Sequence, residues 1–224
     1  MKNILYSPKN LPSDDGMFFA HMTAAGNIGG DILIFPENIH TPYDELLSGA
    51  DILDPNDVDY VLGSLYDFST VTGCAAVFSS VDASGFPYAV FVNAFATDGD
   101  TYSKLYIKHD RTDNLCAYDL DDYESCRAEI FEPIIYRGFR PGLMLGGDVL
   151  MPRLFEQYAE SGAEYVIHPT VSPTALDNPL LPVVSCGSGG KVGAYFANGQ
   201  GAVRRINDEL YETDVTKKTV HYTN

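Results

Sequence analysis

Residues 142–170 read GLMLGGDVLMPRLFEQYAESGAEYVIHPT, and this stretch decides the fold. Its apolar run Leu143–Leu145 predicts a buried strand, because continuous short apolar runs are typical of strands covered on both faces. Pro152–Ala159 then predicts a helix that opens on proline and ends at Ser161-Gly162. Glu164–Ile167 predicts a second buried strand. The order strand, helix, strand indicates an α/β layered domain.

The pattern continues on the N-terminal side of this stretch and beyond it. Apolar residues recur at helical spacing after Asp57, a plausible N-cap, and Met17–Ala25 predicts a shorter helix. Two strands around the turn at residues 97–100 predict a hairpin. Residues 110–128 and 169–190 are predicted to be long loops. The further predicted strands are Asp31–Phe35, Cys74–Phe78, Tyr88–Phe95, Tyr102–Ile107, Lys191–Ala197 and, more weakly, Ala202–Ile206. We expect one α/β domain with a mixed sheet over residues 1–224, with residues 207–224 as a tail.

Composition narrows the classes of partner. The 224 residues include 31 acidic and 14 basic side chains, for a formal net charge of -17. Such a surface repels phosphate backbones and anionic lipids, so we expect no nucleic-acid or membrane partner. No apolar stretch approaches the ~20 residues of a membrane span, and no secretory signal is recognised, which favours a cytoplasmic protein. The four cysteines are scattered, which argues against a zinc site and a disulfide framework. We expect neither a metal nor a cofactor.

Three segments together resemble the nitrilase, or carbon–nitrogen hydrolase, superfamily. The first is DILIFPENIHTPYDE at residues 31–45, a buried strand that runs into a Pro-Glu step. The second is NAFATDGDTYSKLYIKHD at residues 93–110, which is similar to the strand, Asp-Gly turn and Tyr-x-Lys-x-His pattern of that family. The third is the stretch 142–170, which resembles the strand, nucleophile elbow and helix of the family. The resemblance implies an α-β-β-α sandwich with mixed sheets and a homo-oligomer, either a dimer or larger.

The resemblance also implies the positions of a catalytic site. It maps the general-base glutamate onto Glu37 and the lysine that stabilises the oxyanion onto Lys108. The nucleophilic cysteine of the family falls on Gly146, which has no side chain. Asp148 and Asn198 fall on family positions that would contact a ligand. In the family the cysteine thiolate attacks a carbonyl or nitrile carbon, and an activated nucleophile is what such chemistry needs.

Other residues around the predicted site depart from the family or leave its assignment open. Leu150 stands where an arginine is common, and Arg153 stands where the family has glutamate. A second family glutamate could be Glu124 or Glu129. Of the cysteines, Cys74 is expected in the core and Cys116 and Cys126 on a surface loop, whereas Cys186, in the second predicted loop, could in principle fold over the pocket. His109 and His168 are expected to be packing or loop residues. The acidic run 119–124 is expected to be a solvated loop.

Two functions follow from the set Glu37, Lys108 and Gly146. The first is a catalytically degenerate protein with this fold that serves in assembly, in a structural role or in binding a small amide or carboxylate. Glu37 and Lys108 would then persist as a buried ion pair, because removal of one partner leaves a stranded charge. The second is an amidase-like hydrolase of small linear amides that uses an atypical nucleophile such as Cys186, or a water activated by Glu37.

Overall fold

The computed structural model describes residues 1–9, 22–37, 55–81, 87–94, 102–107, 133–177, 179–197 and 199–217. Residues 22–27 are helical, and the longer helices are α1 (Pro55–Thr72) and α2 (Pro152–Glu160), with a 3-10 helix η1 (Gly146–Leu150) directly before α2. The strands are β1 (Lys2–Tyr6), β2 (Ile32–Ile34), β3 (Ala75–Val81), β4 (Pro87–Asn93), β5 (Tyr102–Ile107), β6 (Pro141–Leu143), β7 (Tyr165–Pro169), β8 (Val183–Cys186), β9 (Val192–Phe196), β10 (Gly199–Gln200), β11 (Arg204–Arg205) and β12 (Leu210–Asp214).

The described strands form two mixed sheets. The first has the order β11-β12-β1-β2-β3-β4-β5, and the second has the order β10-β9-β8-β7-β6. In the first sheet β1, β2 and β3 run parallel, and the strands on either side of them pair antiparallel. In the second sheet β6, β7 and β8 run parallel. Each sheet therefore has three adjacent parallel strands that end at one common edge.

The two sheets pack face to face. Strand β2 is buried along its whole length, with Ile32 and Ile34 in one core cluster and Leu33 in another. The first cluster also contains Ile167 of β7 and Val184 of β8, so it joins the inner faces of both sheets. Because successive side chains of a strand point to opposite faces, β2 is covered on both sides and reads as a continuous apolar run.

Helices cover the outer face of each sheet. Leu65 and Phe68 of α1, with Met22 from the helical residues 22–27, pack in the cluster on the outer side of the first sheet. Leu154 and Tyr158 of α2 pack against the second sheet. The layers are helix, sheet, sheet, helix, which confirms the predicted α-β-β-α sandwich with mixed sheets.

The structure corrects the sequence analysis at four places. Strand β8 lies inside residues 169–190, which were predicted to be a loop, because the prolines before it and the serine within it conceal a fully buried strand. Strand β12 lies inside the predicted tail at residues 207–224 and was missed. Its antiparallel partner β1 was not predicted either. The strand predicted at Leu143–Leu145 ends two residues earlier, at Leu143, so that an extended residue and a turn can follow.

Some predictions fall on residues that the structure does not describe. They include Lys108, His109, Cys116, Glu124, Cys126, Glu129, the acidic run 119–124, the turn at residues 97–100 and Asn198. Their positions stay predictions.

Candidate functional site

The turn between β6 and α2 is a sharp strand-to-helix elbow. After β6, Met144 N–H still bonds the carbonyl of Ile167 on β7 at 3.1 Å, and Leu145 remains extended. Gly146 then takes a positive φ of 47° and opens η1. A residue with a Cβ pays about 1–2 kcal/mol in this left-handed region, whereas glycine adopts it readily. Gly146 therefore occupies the tip of a turn with the geometry of a nucleophile elbow.

The backbone beyond Gly146 is closed by short-range hydrogen bonds. Asp148 N–H bonds the carbonyl of Leu145 at 2.9 Å, and Met151 N–H bonds the carbonyl of Asp148 at 3.0 Å. Asp148 is fully buried, and Pro152 begins α2 directly afterwards. The side chain of Asp148 therefore lies in the body of the elbow and is not offered to solvent.

A buried histidine holds the elbow from beneath. His168 on β7 lies 2.8 Å through Nε2 from the carbonyl oxygen of Gly146, and 2.8 Å through Nδ1 from the hydroxyl of Ser185 on β8. His168 and Ser185 are paired in the parallel register, and both are buried. His168 is a packing residue, one of the two alternatives expected for it, and it links β7 and β8 to the turn that follows β6.

Tyr158 of α2 closes the open edge of the second sheet beside the elbow. Strand β6 is the last strand of that sheet, so one side of it has no neighbouring strand in the described structure. The Tyr158 hydroxyl donates to the Leu143 carbonyl at 2.7 Å and accepts from the Leu143 N–H at 3.1 Å. The ring lies so close to Gly142 that a Cβ there would stand 2.7 Å from ring carbons. Sheet edges need such cover for their backbone groups.

Glu37 lies at the corresponding edge of the first sheet. It follows β2 by three residues and is only 6% exposed. Its N–H bonds the carbonyl of Thr170 at 3.2 Å, and Thr170 N–H bonds the carbonyl of Cys186 at 2.9 Å. This backbone chain places Glu37 beside the end of β7, two residues beyond His168. The structure thus brings Glu37 and Gly146 to the edge where the parallel strands of both sheets end.

Cys186 is poorly suited to act as a nucleophile. It is fully buried at the end of β8, and its thiol lies 3.2 Å from the backbone carbonyls of both Tyr6 and Ile34. Burial raises the pKa of the Cys186 thiol well above its usual range. Since the thiolate is the nucleophilic form, this cysteine is held in its inert state. It lies between the sheets and not in a loop over a pocket, so the sequence expectation for it is wrong.

Cys74 lies in the core, as predicted. It is buried directly before β3, and burial raises the pKa of its thiol to about 12. Neither described cysteine is therefore a reactive thiol.

Leu150 and Arg153 lie on the surface. Leu150 is 59% exposed at the end of η1, and Arg153 is exposed in the first turn of α2. Leu150 borders a cavity of about 350 Å³ that is also lined by Phe155, Glu156, Leu176, Asp177, Pro179 and Leu180. Leu150 and Arg153 therefore do not enter the body of the elbow.

The described residues include neither a cluster of metal-ligating side chains nor a helix that resembles a membrane span. No three histidine, cysteine or acidic side chains among them are grouped closely enough to hold a metal. No helix within the described ranges is both long and apolar enough to cross a bilayer.

Sequence comparisons identify no relative. No protein-family model matches the chain, and no curated protein matches it.

Structural comparison identifies the class of fold. A cysteine-to-alanine variant of the amidase from Nesterenkonia AN1, of the nitrilase superfamily, superposes with a TM-score of 0.69 at 15% identity, covering 98% of this chain and 92% of that one. Nit3 of Saccharomyces cerevisiae, of branch 10 of the same superfamily, superposes with a TM-score of 0.68 at 12% identity, covering 98% and 91%. At these identities the similarity concerns the fold, which is that of nitrilase-superfamily structures.

A third structure concerns the chemistry of one of these relatives. In a glutamate-to-glutamine variant of the Nesterenkonia amidase, acrylamide is joined by Michael addition to the active-site cysteine. That structure superposes with a TM-score of 0.67 at 16% identity, covering 99% of this chain and 96% of the amidase.

The residues that sequence reasoning missed support the site from below. Ser185 and Tyr158 lie under the elbow, and neither belongs to a sequence motif. A parallel pairing of β7 with β8 would have predicted the contact between His168 and Ser185, but β8 was interpreted as a loop.

Proposed function

We propose that this chain is a catalytically degenerate nitrilase-fold protein that binds a small amide or carboxylate without hydrolysing it. The observation that carries this proposal is Gly146 at the tip of the elbow. The turn keeps the left-handed backbone of a nucleophile elbow, yet its tip has neither a thiol nor a Cβ. Residues 145–147 are Leu-Gly-Gly, so no neighbouring side chain supplies a nucleophile.

The surroundings of Gly146 favour binding over loss of the site. The elbow is held by His168, its sheet edge is capped by Tyr158, and Glu37 lies buried beside the end of β7. These buried contacts keep the elbow and Glu37 in place for a ligand, because an unpaired buried polar group is costly. In our proposal, the space left by the missing side chain accepts the amide or carboxylate group, and Lys108, at the family's lysine position, supplies a cation for its oxygen.

A screen by thermal unfolding tests the binding proposal. Short linear amides and carboxylates should raise the melting temperature of the wild-type protein, since a ligand that binds only the folded state stabilises it. Lys108→Met should remove the shift given by carboxylates. The proposal fails if no compound of either class shifts the melting temperature, or if Lys108→Met leaves every shift unchanged.

The second candidate function is amide hydrolysis by a water that Glu37 activates. Its support is the burial of Glu37, since a carboxylate shielded from solvent is suited to general-base action, which contributes ~10²–10⁴-fold. Release of ammonia from amides, nitriles and carbamoyl compounds separates the two functions. Turnover by the wild-type protein that disappears in Glu37→Gln establishes the hydrolase and ends the pseudoenzyme proposal.

We also propose that the protein is a homo-oligomer, in keeping with the resemblance to the superfamily. A native mass measurement at micromolar concentration should give a dimer or a larger assembly. A monomer at all concentrations would contradict this.

A further inference from the structure

We propose that His168 is a positioning residue for the elbow: its Nε2–H holds the Gly146 carbonyl and thereby fixes how residue 146 faces the site. This inference rests on the proposed function, since it concerns the same site. The observation behind it is the pair of 2.8 Å contacts that the buried ring makes, one with Gly146 and one with Ser185.

The chemistry of the partners determines which ring nitrogen carries hydrogen. A backbone carbonyl oxygen can only accept a hydrogen bond, so Nε2 of His168 must be protonated and must donate to Gly146. The Ser185 hydroxyl can either donate or accept, so it satisfies Nδ1 in the neutral ring as well as in the cation. The bond to the elbow is therefore kept in both charge states of the imidazole.

Strand geometry places this contact under the elbow and away from the space between the sheets. Cys186 contacts the first sheet through its thiol, so its neighbour Ser185 points to the opposite face of β8. His168 pairs with Ser185 in register and points to that same face, towards the layer of η1 and α2. Ser185 and His168 are each at most 1% exposed, so a substrate cannot reach the serine. The pair therefore tethers the Gly146 carbonyl and does not act as a Ser–His nucleophile.

The elbow needs such a tether because of what Gly146 lacks. Glycine has the widest backbone freedom of any residue, and Leu145 before it provides no side-chain cap for η1. The carbonyl of residue 146 and the N–H of residue 147 belong to one rigid peptide plane. A hydrogen bond that holds the carbonyl thus holds the whole plane at the tip of the turn.

A matched pair of substitutions isolates the tether. In His168→Gln the side-chain nitrogen lies about where Nε2 was and can still donate to Gly146, whereas in His168→Asn it reaches only about as far as Nδ1. We expect the amide resonances of Gly147 and Asp148 to stay near their wild-type positions in the glutamine variant and to move in the asparagine variant. Equal spectra for the two variants at these residues would overturn the inference.

A reactivity measurement separates positioning from mere stability. In a Gly146→Cys background, His168→Asn should lower the rate of acrylamide addition at residue 146 by ~10- to 100-fold, because a misplacement near 1 Å can cause a loss of that size. His168→Gln should leave this rate near that of the Gly146→Cys parent. A purely structural role would lower the melting temperature of the asparagine variant but leave the labelling rate of its folded fraction unchanged, and that result would overturn the inference.

The wild-type protein provides a test that needs no substitution. The nitrogen spectrum of the imidazoles should show Nε2 of His168 protonated, with a ring proton protected from exchange. An unprotonated Nε2 would overturn the inference even if His168→Asn does not fold. Failure of the proposed function gives a different result from failure of this inference. No amide or carboxylate would then bind, but the nitrogen spectrum would still show His168 Nε2 protonated.

Discussion

The hydroxyl of Tyr158 is the most direct point at which to perturb the support of the elbow. Tyr158→Phe removes one oxygen and leaves the ring over Gly142 in place. That oxygen bonds both the N–H and the carbonyl of Leu143, at 3.1 and 2.7 Å, inside a fully covered sheet edge. Burial raises the pKa of the Tyr158 phenol, so the group stays protonated and able to donate at physiological pH.

The expected loss follows from the two hydrogen bonds. A typical buried hydrogen bond contributes about 1 kcal/mol, and a donor or acceptor left unsatisfied costs about 1–3 kcal/mol. We expect Tyr158→Phe to lower the free energy of unfolding by about 2 kcal/mol, which for a chain of this size is a fall of about 4–8 °C in melting temperature. Urea unfolding followed by circular dichroism measures the change, with an unaltered m-value as the sign that the unfolding reaction is the same.

Tyr165→Phe is the matched control. Tyr165 is as deeply buried as Tyr158, but its hydroxyl has no hydrogen-bond partner in the described structure. Removing that oxygen should leave stability unchanged or raise it by about 1 kcal/mol, because an unsatisfied buried group is removed. Equal losses in the two variants, or no loss in Tyr158→Phe, would refute the claim that the hydroxyl of Tyr158 supports the edge of β6.

Three further predictions follow from the described contacts. Cys186 should resist iodoacetamide in the native protein, because its thiol is buried and its pKa is raised; mass spectrometry that finds it alkylated before unfolding would contradict the assignment of an inert thiol. Gly142→Ala should lower the free energy of unfolding by about 1–3 kcal/mol through overlap with the Tyr158 ring, and an unchanged urea midpoint would show that the ring moves aside freely. Arg137 has a φ of 47° and binds Asp31 and the carbonyl of Gly73. Arg137→Gly should be about 1 kcal/mol more stable than Arg137→Ala, because both variants lose these bonds but only glycine relieves the left-handed backbone. Equal urea midpoints for the two variants would argue against strain at residue 137.

The sequence predicts the part of the site that depends on local pattern. The elbow could be found because an apolar run, then Asp148, then a proline at a helix start stand at short, fixed distances along the chain. Glu37 was assigned because its Pro-Glu step after a buried strand resembles that of the nitrilase superfamily, and only the buried strand before it follows from local pattern. Local spacing of this kind is what periodicity and cap signals report.

The supporting contacts could not be predicted because they depend on which strands are neighbours. His168 meets Ser185 only because β7 pairs with β8 in parallel, and prolines around β8 conceal that strand in the sequence. Cys186 was assigned to a loop for the same reason. In the structure it lies in a strand, and the first sheet covers its thiol. Strand β12 was missed because only part of it is buried, so its pattern is mixed.

The central question is whether Gly146 stands at the position of a nucleophilic cysteine, and Gly146→Cys addresses it directly. The substitution should cost about 1–2 kcal/mol, because a residue with a Cβ must adopt the left-handed backbone of the elbow. The measurement is ammonia released from short linear amides by four proteins: wild type, Gly146→Cys, Glu37→Gln and the double variant. Our account predicts release by Gly146→Cys alone. Release by the wild-type protein that is lost in Glu37→Gln would contradict it.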